Sequence, residues 1–186
     1  ITTITSTISM SATAQHFLEH EEKHGAHNYH PLPVVLSRGK GVQVWDVDGK
    51  QYYDFLSGYS AVNQGHCHPV ILQRMIEQAQ QLTLTSRAFH SDRMGEYVKY
   101  ITDYFGYDKV LPMNTGVKGV ETAIKLCRKW AYEVKGIEEG KAVIIVCEGN
   151  FHGRTSTVIS FSSDPSSKKN FGPYMPGFKA IPYNDT

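Results

Sequence analysis

A long helix with one apolar face, followed after a short break by an unbroken apolar run, constrains this chain more than any other feature. Val117, Val120, Ile124, Cys127, Ala131 and Val134 recur at steps of three and four, which places them on one side of a helix. Asn114 or Thr115 offers a side-chain cap before it, and Gly136 ends it. Residues 142–147 then carry no charge and no hydroxyl. A strand of a parallel sheet has this character when it is buried on both faces. Upstream, residues 109–113 read as a short strand. Strand, helix, strand is a βαβ unit, and it places the chain in the α/β class.

The other segments read more locally. Residues 42–47 and 51–55 flank Asp48-Gly49 and carry Val, Trp, Tyr and Phe, which predicts a β-hairpin whose Asp-Gly turn accommodates positive φ. Pro69 opens a helix whose apolar face is Leu72, Met75, Ile76 and Ala79. Another helix follows Ser91, with Met94, Tyr97, Val98, Ile101 and Phe105 on its stripe. Residues 12–23 read as a short, charge-rich helix, and residues 164–177, rich in Pro, Ser, Gly and Lys, as a surface loop. The organisation expected is a disordered tail over 1–20, an N-terminal segment with the hairpin over 21–68, and the first part of a sheet domain over 69–186.

Composition narrows the function. The 186 residues are 40% hydrophobic and 20% charged, enough apolar side chains for a core. A net charge of +1 without a Lys/Arg run gives no electrostatic footprint for nucleic acid. No apolar run approaches the ~20 residues of a membrane-spanning helix. Cys67, Cys127 and Cys147 are odd in number and lack CxxC spacing, so they read as reduced thiols of an intracellular protein. Residues 1–14 are rich in Ser and Thr, but no Lys or Arg precedes Lys23. A transit peptide would be Arg-rich, so the cytoplasm is favoured over the mitochondrial matrix, with Met10 a candidate initiator. His24, His27 and His30, and His66-Cys67-His68, have ligand-like spacing, but no paired CxxC supports a metal site. No GxSxG marks a serine nucleophile.

Two short motifs carry chemistry. Asn114-Thr115-Gly116-Val117 lies where a strand gives way to a helix. The first helical amides have no intrahelical acceptor and the dipole adds positive potential, so the turn suits a phosphate, and Gly116 lets an anion approach the backbone. An ordinary capped helix has the same sequence. Gly149-Asn150-Phe151-His152-Gly153-Arg154-Thr155 follows the carboxyl end of the apolar run, the edge where open α/β sheets collect ligands. Phe151 offers a flat apolar face to a planar ring. Arg154 offers a fork of donors matched to a carboxylate. A glycine-rich loop with a surface arginine is the other reading. A phosphorylated aromatic cofactor with an amino-acid substrate satisfies both motifs together. Neither GxxxxGK[ST] nor GxGxxG is present to mark a nucleotide site.

Longer runs add to these motifs. They are His27-Asn28-Tyr29-His30-Pro31-Leu32-Pro33, residues 59–69 (YSAVNQGHCHP), residues 82–89 (LTLTSRAF), residues 111–117, Phe171-Gly172-Pro173 and Met175-Pro176-Gly177-Phe178. In this order the chain resembles the class III aminotransferases of the fold type I pyridoxal-phosphate family, and within them the ornithine-using members. The resemblance runs from about Glu21 to the end. It implies an incomplete α/β transferase fold: an N-terminal segment of the small domain and the first part of the large, mainly parallel-sheet domain. It implies that Gly116 and Val117 give backbone donors to the phosphate of pyridoxal 5'-phosphate, that Phe151 stacks on its ring, and that Arg154 clamps the substrate α-carboxylate. Tyr29 and Tyr59 resemble the tyrosines that distinguish ornithine from ω-amino acids lacking an α-amino group. A phenol oxygen can accept a hydrogen bond from an α-ammonium. As bare sequence, a packed tyrosine with a polar tip is the commoner reading of either. One departure stands out: Lys118-Gly119 replaces an acidic residue and Ala common in the family, while Glu121 remains. A lysine in the first turn opposes the helix dipole.

The reaction so implied moves the δ-amino group of L-ornithine to 2-oxoglutarate, in arginine and ornithine catabolism and proline biosynthesis. Its products are glutamate and glutamate 5-semialdehyde, which cyclises to pyrroline-5-carboxylate. The implied assembly is a homodimer or higher homo-oligomer, with no nucleic-acid or membrane partner. No lysine here matches the one that carries the cofactor in the family, and no aspartate matches the one that pairs with the ring nitrogen. The chain is therefore expected to be the N-terminal part of a longer enzyme, inactive alone and without a catalytic residue of its own. The alternatives are a class III member acting on acetylornithine or 4-aminobutyrate, or a non-catalytic binding fragment. Tyr29 and Tyr59 favour ornithine.

Overall fold

The structure, a computed structural model, describes residues 11–184. The first ten residues of the expected tail, Met10 among them, lie outside the described residues. The chain forms two compact units, residues 1–90 and 91–186. The helix that begins at Pro69 falls within the first of these units.

In the first unit α1 spans Ala12–His24, with the Ser11 hydroxyl accepting from the Ala14 amide at 3.0 Å. The expected tail over 1–20 is therefore helical from Ala12 onward. The capping serine and the run of helix-forming Ala, Gln, Leu and Glu outweigh the Ser/Thr content before it. Strands β1 (Leu36–Lys40), β2 (Gln43–Asp46) and β3 (Gln51–Tyr53) form an antiparallel sheet in that order. The predicted hairpin is β2–β3, in the register Val44↔Tyr52. Its turn is built on Asp46, whose carboxylate accepts from the Asp48 amide at 3.0 Å, the Lys50 amide at 2.8 Å and the Tyr52 hydroxyl at 2.7 Å. Gly49 takes φ 83° there. The Tyr52 hydroxyl, with the two amides, holds the Asp46 carboxyl below its ordinary range. After β3 come a one-turn element α2 (Ser57–Ser60) and α3 (Pro69–Gln81), with proline at its start as predicted. The α3 face of Leu72, Met75 and Ile76 stays exposed among the described residues.

In the second unit α4 is Met94–Phe105, closed by Gly106 at φ 72°. Helix α5 is Gly116–Glu133, the long helix read from the sequence. Strand β4 (Ile144–Cys147), α6 (Ser156–Ser160), α7 (Pro165–Lys168) and β5 (Phe178–Ile181) follow. β4 and β5 pair in parallel from Ile144↔Phe178 to Cys147↔Ile181, with α6 and α7 in the crossover. The core is Ile124, Val158 and Phe161, with Val117, Val120, Ile144, Val146 and Phe178 packed against it. The rings of Phe161 and Phe178 lie 4.5 Å apart. Removing these side chains from water is what fixes α5 and α6 to the two strands.

Three expectations change. Residues 109–113 are irregular, because an extended run becomes a strand only by pairing, and no described strand pairs with it. The α/β class therefore stands on β4 and β5 instead. The apolar run is a strand only over Ile144–Cys147, and one of its faces is open: Val143 is 60% exposed and Ile145 63%. The predicted loop at 164–177 contains α7, which Asp164 caps and Pro165 opens.

Candidate cofactor site

The site grows from the first turn of α5. Thr115 is extended (φ −143°, ψ 153°) and its hydroxyl accepts from the Lys118 amide at 3.3 Å. That cap leaves the Gly116 and Val117 amides at the two helical positions with no acceptor in their own helix. Beside Gly116 a side chain would meet nothing within 4 Å, so the space is open. Lys118 is exposed and a Cβ on Gly119 would likewise meet nothing within 4 Å, so the Lys118-Gly119 departure leaves the cap intact.

Val117 turns its side chain the other way, into the core. There it meets the glycine-rich loop after β4. A Cβ placed on Gly153 would stand 2.6 Å from Val117 Cγ2, and Gly153 has φ +119°. Both its space and its backbone therefore require glycine. The Thr155 hydroxyl donates to Glu121 on α5, a second tie between loop and helix. Three further hydrogen bonds tie the loop to the end of β4 and to the residues after α6. The Asn150 side-chain amide donates to the Cys147 carbonyl at 2.6 Å and to the Phe161 carbonyl at 3.2 Å, and the Gly149 amide donates to the Ser163 hydroxyl at 2.8 Å. His152 sets its ring edge-on to Phe161 at 5.7 Å.

Phe151, between these anchored residues, presents its ring to solvent at 71% exposure. Arg154 is exposed as well, and its charge is felt at Asp164. The Asp164 carboxyl lies below its ordinary range chiefly through the Ser166 hydroxyl and amide, then the Ser167 hydroxyl, with Arg154 adding to the same effect. The structure thus brings the turn of Gly116 and Val117 together with the loop that carries Phe151 and Arg154. Tyr29 and Tyr59 belong to the first unit, Tyr29 in the irregular segment between α1 and β1 and Tyr59 in α2. They are 60% and 83% exposed.

These residues fit pyridoxal phosphate. The open space at Gly116 suits a phosphate at the helix start, and the uncovered Phe151 ring suits a planar heterocycle. Sequence reasoning passed over the clamp of Gly153, Thr155 and Glu121. Gly153 belongs to the glycine-rich run 149–155, and that glycine is its only local signal. The Thr155–Glu121 bond spans 34 residues and leaves no local signal.

The family pattern Aminotransferase class-III matches residues 24–186. The mitochondrial ornithine aminotransferase of Rattus norvegicus is 60% identical over 173 residues, 93% of this chain and 39% of the rat protein. An ornithine aminotransferase structure from Toxoplasma gondii, with pyridoxal phosphate partly occupying its active site, matches at TM-score 0.91 and 47% identity. That match covers 92% of this chain and 40% of the Toxoplasma chain. An acetylornithine aminotransferase structure from Elizabethkingia anophelis matches at TM-score 0.78 and 65% identity, over 92% of this chain and 41% of that one. The chain therefore spans about two fifths of the length of these relatives. The family pattern runs through both the Thr115 turn and the loop seated on Val117, and the chain belongs to the class-III aminotransferases, pyridoxal-phosphate enzymes of fold type I.

Proposed function

We propose that the full-length protein is an ornithine δ-aminotransferase, passing the δ-amino group of L-ornithine to 2-oxoglutarate. The observation that carries this reading is the seating of Gly153 on Val117, which joins a helix start suited to phosphate to a loop bearing an aromatic face and a guanidinium. The choice of ornithine is supported by relatives so named in rat, Caenorhabditis elegans and Plasmodium falciparum, at 60%, 58% and 58% identity. The Elizabethkingia match at 65% identity favours acetylornithine as the second reading.

In this proposal Gly116 and Val117 donate backbone N–H groups to the cofactor phosphate, and Phe151 covers one face of its ring. When bound, pyridoxal phosphate supplies a ring that takes up the electron pair left as a substrate C–H bond breaks. Arg154 holds the α-carboxylate with paired donors. Tyr29 and Tyr59 accept hydrogen bonds from the α-ammonium through their phenol oxygens. Gripping both α groups leaves the δ-amine as the free, reacting end of ornithine. Acetylornithine carries an amide in place of that ammonium, and 4-aminobutyrate carries nothing there.

The lysine and aspartate that complete the family's chemistry are proposed to lie outside this chain, so the 186 residues alone would not turn over substrate. The proposed assembly is a homodimer or higher homo-oligomer, which the exposed Leu32, Phe55 and Leu84 support. The compartment proposed is the cytoplasm, whereas the rat, worm and fly relatives are named mitochondrial. The test is isotopic. Ornithine labelled with ¹⁵N at the δ position should send its label to glutamate, whereas label arriving from the α position would reject the δ assignment.

A further inference from the structure

The segment that carries Tyr59 has an unfavourable backbone. Ser57, Gly58, Tyr59 and Ser60 follow one another at φ 49°, 56°, 57° and 71°. Left-handed backbone disfavours every L-residue except glycine, and three of these four are not glycine. Such a turn persists only where its surroundings over-determine it.

Asp54 supplies much of that surrounding. One carboxylate oxygen accepts from the Leu56 amide at 2.9 Å and the Ser57 amide at 2.8 Å, at the entrance of the turn. The other accepts from His66 Nε2 at 2.7 Å. The two side chains are 17% and 28% exposed. His66 is itself fixed by the sheet. Its backbone exchanges two hydrogen bonds with Gly41, at 2.9 and 2.8 Å. Its side chain lies so close to Gly39 that a Cβ there would come within 2.8 Å of His66 Cβ and Cγ. The pair lines a cavity of about 260 Å³ with Gly41, Ser57, Val62 and Asn63. The bond from His66, then the Ser57 amide, keeps the Asp54 carboxyl below its ordinary range, so it stays an ionised acceptor at neutral pH.

We propose that Asp54 and His66 are positioning residues for Tyr59: anchored on the β1–β2 turn, they hold the 57–60 turn in its left-handed form and so set how the phenol meets a substrate α-ammonium. The proposal rests on the reading of Tyr59 as an α-ammonium partner. It deepens that reading by naming what fixes substrate preference two steps away from the substrate. Through Asp54, the imidazole orients a backbone turn and touches no reacting atom.

The experiment uses the full-length enzyme and reads the ratio of kcat/KM for ornithine to that for 4-aminobutyrate. Tyr59→Leu should lower this ratio, since the polar partner is gone. His66→Ala should lower it by roughly tenfold to a hundredfold, the scale of an ~1 Å misplacement. His66→Gln, whose amide nitrogen can stand near the imidazole Nε2 position, should recover most of the loss. In the Tyr59→Leu background, His66→Ala should lower the ratio no further. If Tyr59→Leu lowers the ratio and His66→Ala does not, the positioning proposal is overturned and the Tyr59 reading stands. If Tyr59→Leu leaves the ratio unchanged, both fall. An equal effect of His66→Ala with and without Tyr59 would also overturn the proposal, because the pair would then act through the fold at large. Should His66→Ala fail to fold, Asp54→Asn takes its place, with a lowered ratio expected and an unchanged one overturning.

Discussion

Gly153→Ala probes the joint between the two halves of the cofactor site. The added Cβ would stand 2.6 Å from Val117 Cγ2 and 2.7 Å from Val117 Cβ, on a backbone at φ +119°. Carbon atoms in ordinary contact lie ~3.5–4.0 Å apart, so loop and helix must separate by about 1 Å. If the frame stays rigid, overpacking costs about 1–3 kcal/mol and the backbone conformation a further ~1–3 kcal/mol. If the loop moves instead, Phe151 and Arg154 shift with it, and ~1 Å is worth up to ~10²-fold in catalytic efficiency. The full-length variant should be assayed three ways: thermal unfolding, pyridoxal-phosphate affinity by fluorescence titration, and kcat/KM for ornithine. A fall in midpoint, in affinity, or in both is expected, together with a loss of efficiency. Val117→Ala in the same chain removes the Cγ2 contact but leaves the Cβ contact and the backbone conformation, so it should restore little. A Gly153→Ala enzyme within about twofold of the parent in all three assays would show that Gly153 and Val117 do not join loop to helix, because an ~1 Å displacement cannot be silent.

Arg154→Ala should keep cofactor affinity while losing ornithine turnover, since a charged hydrogen bond is worth ~1.5–3 kcal/mol and a two-pronged one more; steady-state kinetics read this directly. Thr155→Val removes the bond to Glu121 and should raise the KM for ornithine with a small change in folding midpoint, seen by kinetics and calorimetry together. Asp46 has a depressed carboxyl pKa, so its contribution to stability is complete above the ordinary 3.8 and is lost as pH falls through the lower folded value. Asp46→Asn should therefore lessen the acid dependence of stability below pH about 4, measured by urea unfolding across that range. The 186-residue chain on its own, incubated with pyridoxal phosphate, ornithine and 2-oxoglutarate, should form no pyrroline-5-carboxylate; product formation with a borohydride-trapped lysine would show a cofactor lysine within it.

The elements legible in the sequence were those whose signal is local. Helix α5 showed through its apolar spacing and Thr115, and the β2–β3 hairpin through Asp48-Gly49. Strand β1 was not legible, because Leu-Ser-Arg-Gly-Lys has no alternation and four of its five residues are exposed; it is a strand because β2 pairs with it. Residues 109–113 erred the other way, with strand-like composition and no partner. β5 was hidden behind a Pro- and Gly-rich approach, and its four residues gain their identity from β4. In the site, Gly116, Phe151 and Arg154 were visible as residue types suited to phosphate, ring and carboxylate. What joins them was not visible: Val117 and Gly153 meet across 36 residues, and only the fold brings them together. The left-handed turn at Tyr59 was equally hidden, since three of its residues are types that seldom adopt it.

In the proposed site both α groups of ornithine are gripped so that its δ-amine reacts. The most direct test measures kcat/KM of the full-length enzyme for ornithine, acetylornithine and 4-aminobutyrate with 2-oxoglutarate as acceptor. Ornithine is expected to be preferred over both, by roughly tenfold or more for each polar partner left unpaired. Equal or better turnover of acetylornithine or 4-aminobutyrate would contradict it.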